Sequence, residues 1–285
     1  MLNPSDTGRI IARLRKRAGF TQQSLADALC VTDKAVSKWE RGISCPDISL
    51  LPKLSILLDD DIEALLGGVA DVYSRQWRGV LYVPEGSFPL DTLVYDKPLV
   101  YYLLSNFLLV GIKDVLVITA EEPRLGCFIL EEMRASGLAV SFFVQDTMEL
   151  AQCLRENEPF IKGSNVFVMA DVCFLFGASL TRAYQGFMAI AEGPVHLYLN
   201  DQEKIPLFFI SEKQWDLFFD GNNDVGLDTL MHNCTKRKLG RGIVYLPIKT
   251  HKQLCDVSGF VRFYQEYHHL RICDLREIAR NRGFV

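Results

Sequence analysis

The chain has 285 residues and a mass of 32.3 kDa, long enough for two domains of unequal size. Hydrophobic residues make up 49% and charged residues 23%, which excludes a disordered chain. A formal charge of −4 and a pI near 5.8 argue, as averages, against a nucleic-acid binder, which usually carries a basic excess.

The average conceals a polarised N-terminus. Residues 1–41 hold eight basic and four acidic side chains, a balance of +4. Residues 42–67 hold Lys53 against Asp47, Asp59, Asp60, Asp61 and Glu63, a balance of −4. The eight cysteines form no Cys-x-x-Cys pair and several lie in apolar runs. Free, buried, reduced thiols are therefore expected, with neither zinc spacing nor a disulfide framework. The first twenty residues are arginine-rich and lack a signal-peptide apolar core. No apolar run approaches the ~20 residues of a membrane span. The chain reads as soluble, cytoplasmic and bacterial in style, with no membrane partner.

In chain order, residues 1–68 predict five short helices. The first covers about 6–18, with Ile10, Ile11 and Leu14 at helical spacing and Gly19 closing it. Thr21 caps the second, with Leu25, Ala28 and Leu29 apolar. Thr32 caps the third, with Ala35, Val36 and Trp39 inward and Gly42 ending it. Asp47 caps the fourth, packed through Leu50, Leu51, Leu54 and Leu57. Ile62, Leu65 and Leu66 form the last, before Gly67 and Gly68.

Helices two and three, joined by a short turn, have the helix-turn-helix pattern. FTQQSLADAL, VTDKAVSKWERG and PDISLLPKLSILL resemble the lambda-repressor-like (Cro, xenobiotic-response-element type) family over Arg9 to Leu66. Cys30 stands where that family often has glycine at the turn. The resemblance implies operator DNA as the partner, with the third helix in the major groove. Gln22 would meet a phosphate at a helix N-terminus. Thr32, Asp33, Lys34, Ser37 and Lys38 lie on the outward face or leading end of the reading helix, where lysine can donate to guanine and aspartate can accept from cytosine. Arg41 is assigned to the DNA backbone. The resemblance also implies an Arg15–Glu40 ion pair between helices one and three. Trp39 is a core residue.

Residues 69–77 read as a linker, and 78–285 as a second domain. Strands are expected at 79–83, 115–119, 139–144, 165–169, 195–199, 206–210 and 242–246. Helices are expected at 98–110, about 122–135, 149–156, about 250–267 and about 273–282. Their alternation predicts an α/β fold with a mostly parallel, Rossmann-like sheet. VYDKPLVYYLLSNFLLVGIKDVLVIT, LAQCL, VFVMAD, GRGIVYLPIKTHKQLCDVSGFV and LRICDLREIARNRGFV resemble, in that order, the sugar-1-phosphate nucleotidyltransferases, especially glucose-1-phosphate thymidylyltransferase. The likeness weakens over 178–225.

That family joins a sugar 1-phosphate to a nucleoside triphosphate, which calls for a glycine-rich phosphate loop, cationic side chains and carboxylates holding Mg²⁺. Here the first strand is followed by VPEGSFPLDTL, with one glycine, no arginine, and the acidic Glu85 and Asp91. Pro89 stands near the family's lysine. Asp171 matches one metal aspartate, but Pro247 replaces the other and Lys249 replaces a glycine. Loss of all three elements predicts a pseudoenzyme, with no catalytic residue, no metal and no cofactor. Gln145 and Gln152 match nucleotide-facing positions, although both also read as surface glutamines, and Glu149 adds a side chain where the family has glycine. Asp228 lies near a sugar-binding position. Asp171 reads either as a ligand or as a strand-end polar residue. His251 reads as structural.

The expectation is a one-component transcriptional regulator. Its C-terminal domain supplies a homodimer or higher homo-oligomer, senses a sugar nucleotide, nucleotide or sugar phosphate, or does both. Two alternatives stay open: an active nucleotidyltransferase with a fused DNA-binding domain, and a scaffold that binds a genuine nucleotidyltransferase.

Overall fold

The computed structural model describes residues 4–58, 77–145, 149–189, 194–199, 204–220 and 234–285. The expected helix at 62–66, most of the linker and Asp228 lie outside the described residues. The chain divides into two compact units, Met1–Tyr73 and Ser74–Val285.

The N-terminal unit contains α1 (Pro4–Arg17), α2 (Gln22–Leu29), α3 (Asp33–Glu40) and α4 (Leu51–Leu58). A 3₁₀ turn, Ile48–Leu50, precedes α4. Asp47 caps that turn, accepting from the Ser49 backbone and hydroxyl, so the fourth helix begins later than its cap suggests. Ile11, Leu14, Leu25, Ala26, Leu29, Val36, Trp39, Leu51, Leu54 and Leu58 form one core. At the end of α4 Leu57 packs half-buried against this core, and Leu58 joins it fully buried. Gly8 on α1 lies against α3, where any Cβ would press on the Trp39 and Glu40 carbonyls. Glycine there lets two helices approach backbone to backbone.

In the C-terminal unit, the sheet strands are β1 (Trp77–Val83), β4 (Asp114–Thr119), β5 (Ala139–Val144), β6 (Asn165–Met169), β8 (Val195–Tyr198), β9 (Lys204–Ile210) and β10 (Thr235–Lys238). Their order is β10-β8-β9-β6-β1-β4-β5. The pairs β1–β4, β1–β6, β4–β5 and β8–β10 are parallel. Only β9 runs against its neighbours β6 and β8. Two small antiparallel pairs stand apart: β2 (Leu93–Val94) with β3 (Lys97–Pro98), and β7 (Cys173–Phe176) with β11 (Val244–Pro247).

The helices of this unit are α5 (Leu99–Leu109), α6 (Cys127–Ala135), α7 (Leu150–Glu156), α8 (Glu158–Ile161), α9 (Leu180–Ala189), α10 (Glu212–Asp220), α11 (His251–His268) and α12 (Leu275–Arg282). Residues Leu99 to Leu108 of α5 are all buried, as expected for a helix apolar all round. It packs on the sheet through Phe107, which meets Phe167 and covers Gly79, where a Cβ would stand 2.6 Å from the ring. The one amide in α5 is satisfied: Asn106 donates to the Tyr102 carbonyl and accepts from the Tyr184 hydroxyl. On the other sheet face, Val80, Leu116, Ile118, Val168, Trp215 and Phe218 lie in a second core.

Three expectations are corrected. α6 starts at Cys127, not near 122, because Pro123 turns the chain and Gly126 is the cap. The strand expected at 242–246 runs from Val244 to Pro247 and pairs with β7, outside the main sheet. The cysteines are free, but Cys30, Cys127 and Cys255 are exposed, while Cys153 and Cys173 are buried. No helix among the described residues is long and apolar enough to cross a membrane.

Candidate nucleic-acid interface and ligand crevice

The reading head is built by two capped helices and one left-handed residue. Thr21 Oγ1 accepts from the Ser24 backbone, and Ser24 Oγ accepts from the Thr21 backbone. Thr32 Oγ1 accepts from the Ala35 backbone. Between the helices, Cys30 has φ 58° and ψ 42°, the backbone region that favours glycine. This turn fixes α3 against α2, with Val36 and Trp39 buried.

With those residues inward, the opposite stripe of α3 faces solvent. Thr32, Asp33, Lys34, Lys38 and Arg41 are exposed and Ser37 is half-buried. Positions 33, 34, 37, 38 and 41 share one face at helical spacing. Arg41 also donates from Nε to the Ser37 carbonyl at 3.2 Å.

Behind that face lies a charged network. Arg15 Nε and Nη2 bind the two Glu40 carboxylate oxygens at 2.5 and 3.1 Å. Arg15 Nη1 donates to the Phe20 carbonyl at 2.7 Å. Gln22 Nε2 donates to Glu40 Oε2 at 2.6 Å. Burial by itself would raise the Glu40 carboxyl, but hydrogen bonds from Arg15 and Gln22 and the charges of Arg15 and Lys16 hold it below the usual range. Gln22 Nε2 thus spends one of its two protons on Glu40, which leaves its second N–H and the backbone N–H groups at the start of α2 as the donors that can meet an anion.

The C-terminal unit gathers its candidate residues at the carboxyl ends of β1, β4, β5 and β6, the edge where open α/β sheets bind ligands. Gln145 follows β5, and Asp171 follows β6. Gln152 lies in the first turn of α7. The amides of Gln145 and Gln152 both lie 3.5 Å from Glu156 Oε1. Tyr82, a residue the sequence did not single out, belongs here too. Burial raises its phenol, and Cys153, Asp171 and Glu149 add to the rise by charge.

The loop after β1 does not form an open cradle. It makes two tight turns, Ser87 N to Pro84 O and Thr92 N to Pro89 O. Leu90 is 4% exposed and anchors it. The Thr92 and Leu90 carbonyls accept from the Leu99 and Val100 backbone N–H groups at the start of α5. Two of the donors that this helix N-terminus could offer an anion are therefore used from within the chain. Phe88 extends to His251, with ring centroids 5.0 Å apart and edge-on, which joins this loop to the start of α11.

Asp171 is held at both oxygens. Oδ1 accepts from the Val172 backbone at 2.7 Å, and Oδ2 lies 2.7 Å from Lys249 Nζ. The β7–β11 register explains the meeting. Pro247 pairs with Cys173, Ile248 N donates to Val172 O, and the next step places Lys249 opposite Asp171. Lys249 stands two residues beyond the end of β11. A divalent cation does not fit this arrangement: an ammonium group stands at the carboxylate, and proline offers no ligand beside it. Among the described residues, no three potential metal-ligating side chains converge.

Residues 11–63 match the family model described as Helix-turn-helix. The C-terminal region is homologous to glucose-1-phosphate thymidylyltransferases. The enzyme of Neisseria meningitidis is 28% identical over 234 residues, covering 67% of this chain and 81% of the relative. That of Xanthomonas campestris is 26% identical over 235 residues, covering 67% and 79%. A Bacillus anthracis structure solved as a glucose-1-phosphate thymidylyltransferase superposes with TM-score 0.53 at 14% identity, covering 65% of this chain and 95% of the other. That likeness shows a shared fold.

Proposed function

We propose that this chain, which joins a helix-turn-helix domain to a nucleotidyltransferase fold, is a cytoplasmic DNA-binding transcriptional regulator whose C-terminal domain no longer transfers nucleotides. Thr32, Asp33, Lys34, Ser37 and Lys38 read bases, while Gln22 and Arg41 contact phosphates. The C-terminal domain oligomerises, senses a phosphorylated sugar or nucleotide, or does both. Gln145, Gln152 and Asp171, with Asp228, are its candidate ligand contacts. An effector would act by favouring one spacing of two reading heads over another.

The observation that carries this reading is the Lys249–Asp171 pair, 2.7 Å apart. Phosphoryl-type transfer depends on metal charge placed at the reacting oxygens. Here the one retained acidic ligand is neutralised by a side chain. Glucose 1-phosphate with each nucleoside triphosphate and Mg²⁺ should release no pyrophosphate above background. Sustained release with any pair would establish the alternative, an active nucleotidyltransferase fused to a DNA-binding domain.

A further inference from the structure

The two edges of the main sheet are unlike. β10 is Thr-Lys-Arg-Lys, exposed throughout, and its charges guard the edge against pairing. β5, at the other end, is Ala-Val-Ser-Phe-Phe-Val, with no charge and no buried residue in six. Val144 alone is 40% exposed. Beside it runs a groove of about 360 Å³ lined by Leu130, Met133, Val140 and Phe142, with Glu122 and Arg134 also bordering it. A long, apolar, uncharged edge is what a strand looks like when its neighbour comes from another molecule.

We propose that β5 is the surface through which two copies of this chain associate, pairing strand to strand, antiparallel, about a two-fold axis. Charge placement selects a second copy as the occupant. Arg134 lies in the last turn of α6, just before β5 begins. Glu122 follows β4, which runs parallel to β5 in register, so it lies toward the other end of β5. Antiparallel pairing brings Glu122 of each copy to the Arg134 end of its mate. Such an isologous contact closes at two copies. The same operation at β10 would set Lys236, Arg237 and Lys238 against themselves. The inference rests on the reading above that two heads engage a two-fold operator, and it assigns the surface that joins them.

Ser141 is exposed and lies at the middle of β5, so the proposed axis brings its two copies together. In the full-length chain, S141K and S141D each place like charges there, whereas a mixture of the two pairs opposite charges. Sedimentation at micromolar concentration should give a dimer for the wild type, monomers for each variant, and a dimer again for the mixture. Operator affinity should fall at least tenfold in each single variant and recover on mixing. Variants that stay dimeric would place the interface elsewhere and overturn this proposal, with two-fold DNA reading intact. A wild type that is monomeric, alone and on DNA, would overturn both. Hydrogen exchange of the wild type guards against misfolded variants: the β5 amides that do not donate to β4 should be protected in the dimer and lose protection on dilution. Concentration-independent exchange at β5 would count against the interface.

Discussion

Lys249 reaches Asp171 because β11 and β7 pair antiparallel in a register that sets positions 249 and 171 face to face, Nζ to Oδ2 at 2.7 Å. The lysine is 64% exposed, so the pair contributes little to stability. Lys249→Ala should cost no more than ~1 kcal/mol, measured by urea unfolding. Its larger effect is on metal. Mn²⁺ should leave the wild-type melting temperature unchanged. The double variant Pro247→Asp/Lys249→Gly sets a carboxylate beside Asp171 and should gain a Mn²⁺-dependent rise. A wild type stabilised by Mn²⁺ through Asp171 would contradict the displacement of metal by lysine.

On the reading helix, the side chains divide by the kind of contact they can make. Lys34→Ala and Lys38→Ala should each weaken operator binding by about 1–3 kcal/mol and relax specificity at one position. Arg41→Ala should weaken all sequences alike and reduce the salt slope by about 1. Fluorescence anisotropy on operator and scrambled duplexes, across a salt series, separates the two. Unchanged binding in both lysine variants would refute the assignment of α3.

The Glu40 carboxyl is held below its unfolded range, so the Arg15–Glu40–Gln22 network stabilises the head above the unfolded carboxylate pKa and loses that stabilisation as pH falls through the folded value. Wild-type head stability should therefore decline in mild acid. Glu40→Gln should flatten the decline and cost about 2 kcal/mol at neutral pH, since it leaves Arg15 without its counter-charge. Urea unfolding of the full chain from pH 7 to pH 3, followed by Trp39 fluorescence with the other two tryptophans, Trp77 and Trp215, replaced by phenylalanine, measures both.

Cys30 keeps a side chain in left-handed backbone, which costs a non-glycine residue on the order of 1 kcal/mol. It is exposed, so little packing is lost when it is removed. Cys30→Gly should stabilise the head by about 0.5–1 kcal/mol and leave operator affinity unchanged. A destabilised variant would show that the thiol contributes contacts the turn needs.

The readable parts of this protein were those written in local pattern. Thr21, Thr32 and Gly19 punctuate the first three helices, and Val36 and Trp39 follow from spacing alone. The parallel strands β1, β4 and β6 were legible as apolar runs because both their faces are covered, and β5 because it is apolar and uncharged although none of its residues is buried. β10 was not, since Thr235–Lys238 is polar and becomes a strand only by pairing with β8. α9 and α10 were also missed, in the stretch where motif likeness fades. The start of α6 was misplaced because Pro123 and Gly126 outweigh the apolar period. At the crevice, the sequence showed that Pro247 and Lys249 replace expected residues, but not that Lys249 faces Asp171. That meeting depends on a strand, β7, which no periodicity announced.

The most direct test of the central claim is selection of duplexes from a random pool by the full-length protein. A regulator with two associated heads should enrich a palindrome whose half-sites lie about one helical turn, ~34 Å, apart. Recovery of no enriched sequence, at salt where nonspecific binding is suppressed, would contradict the account.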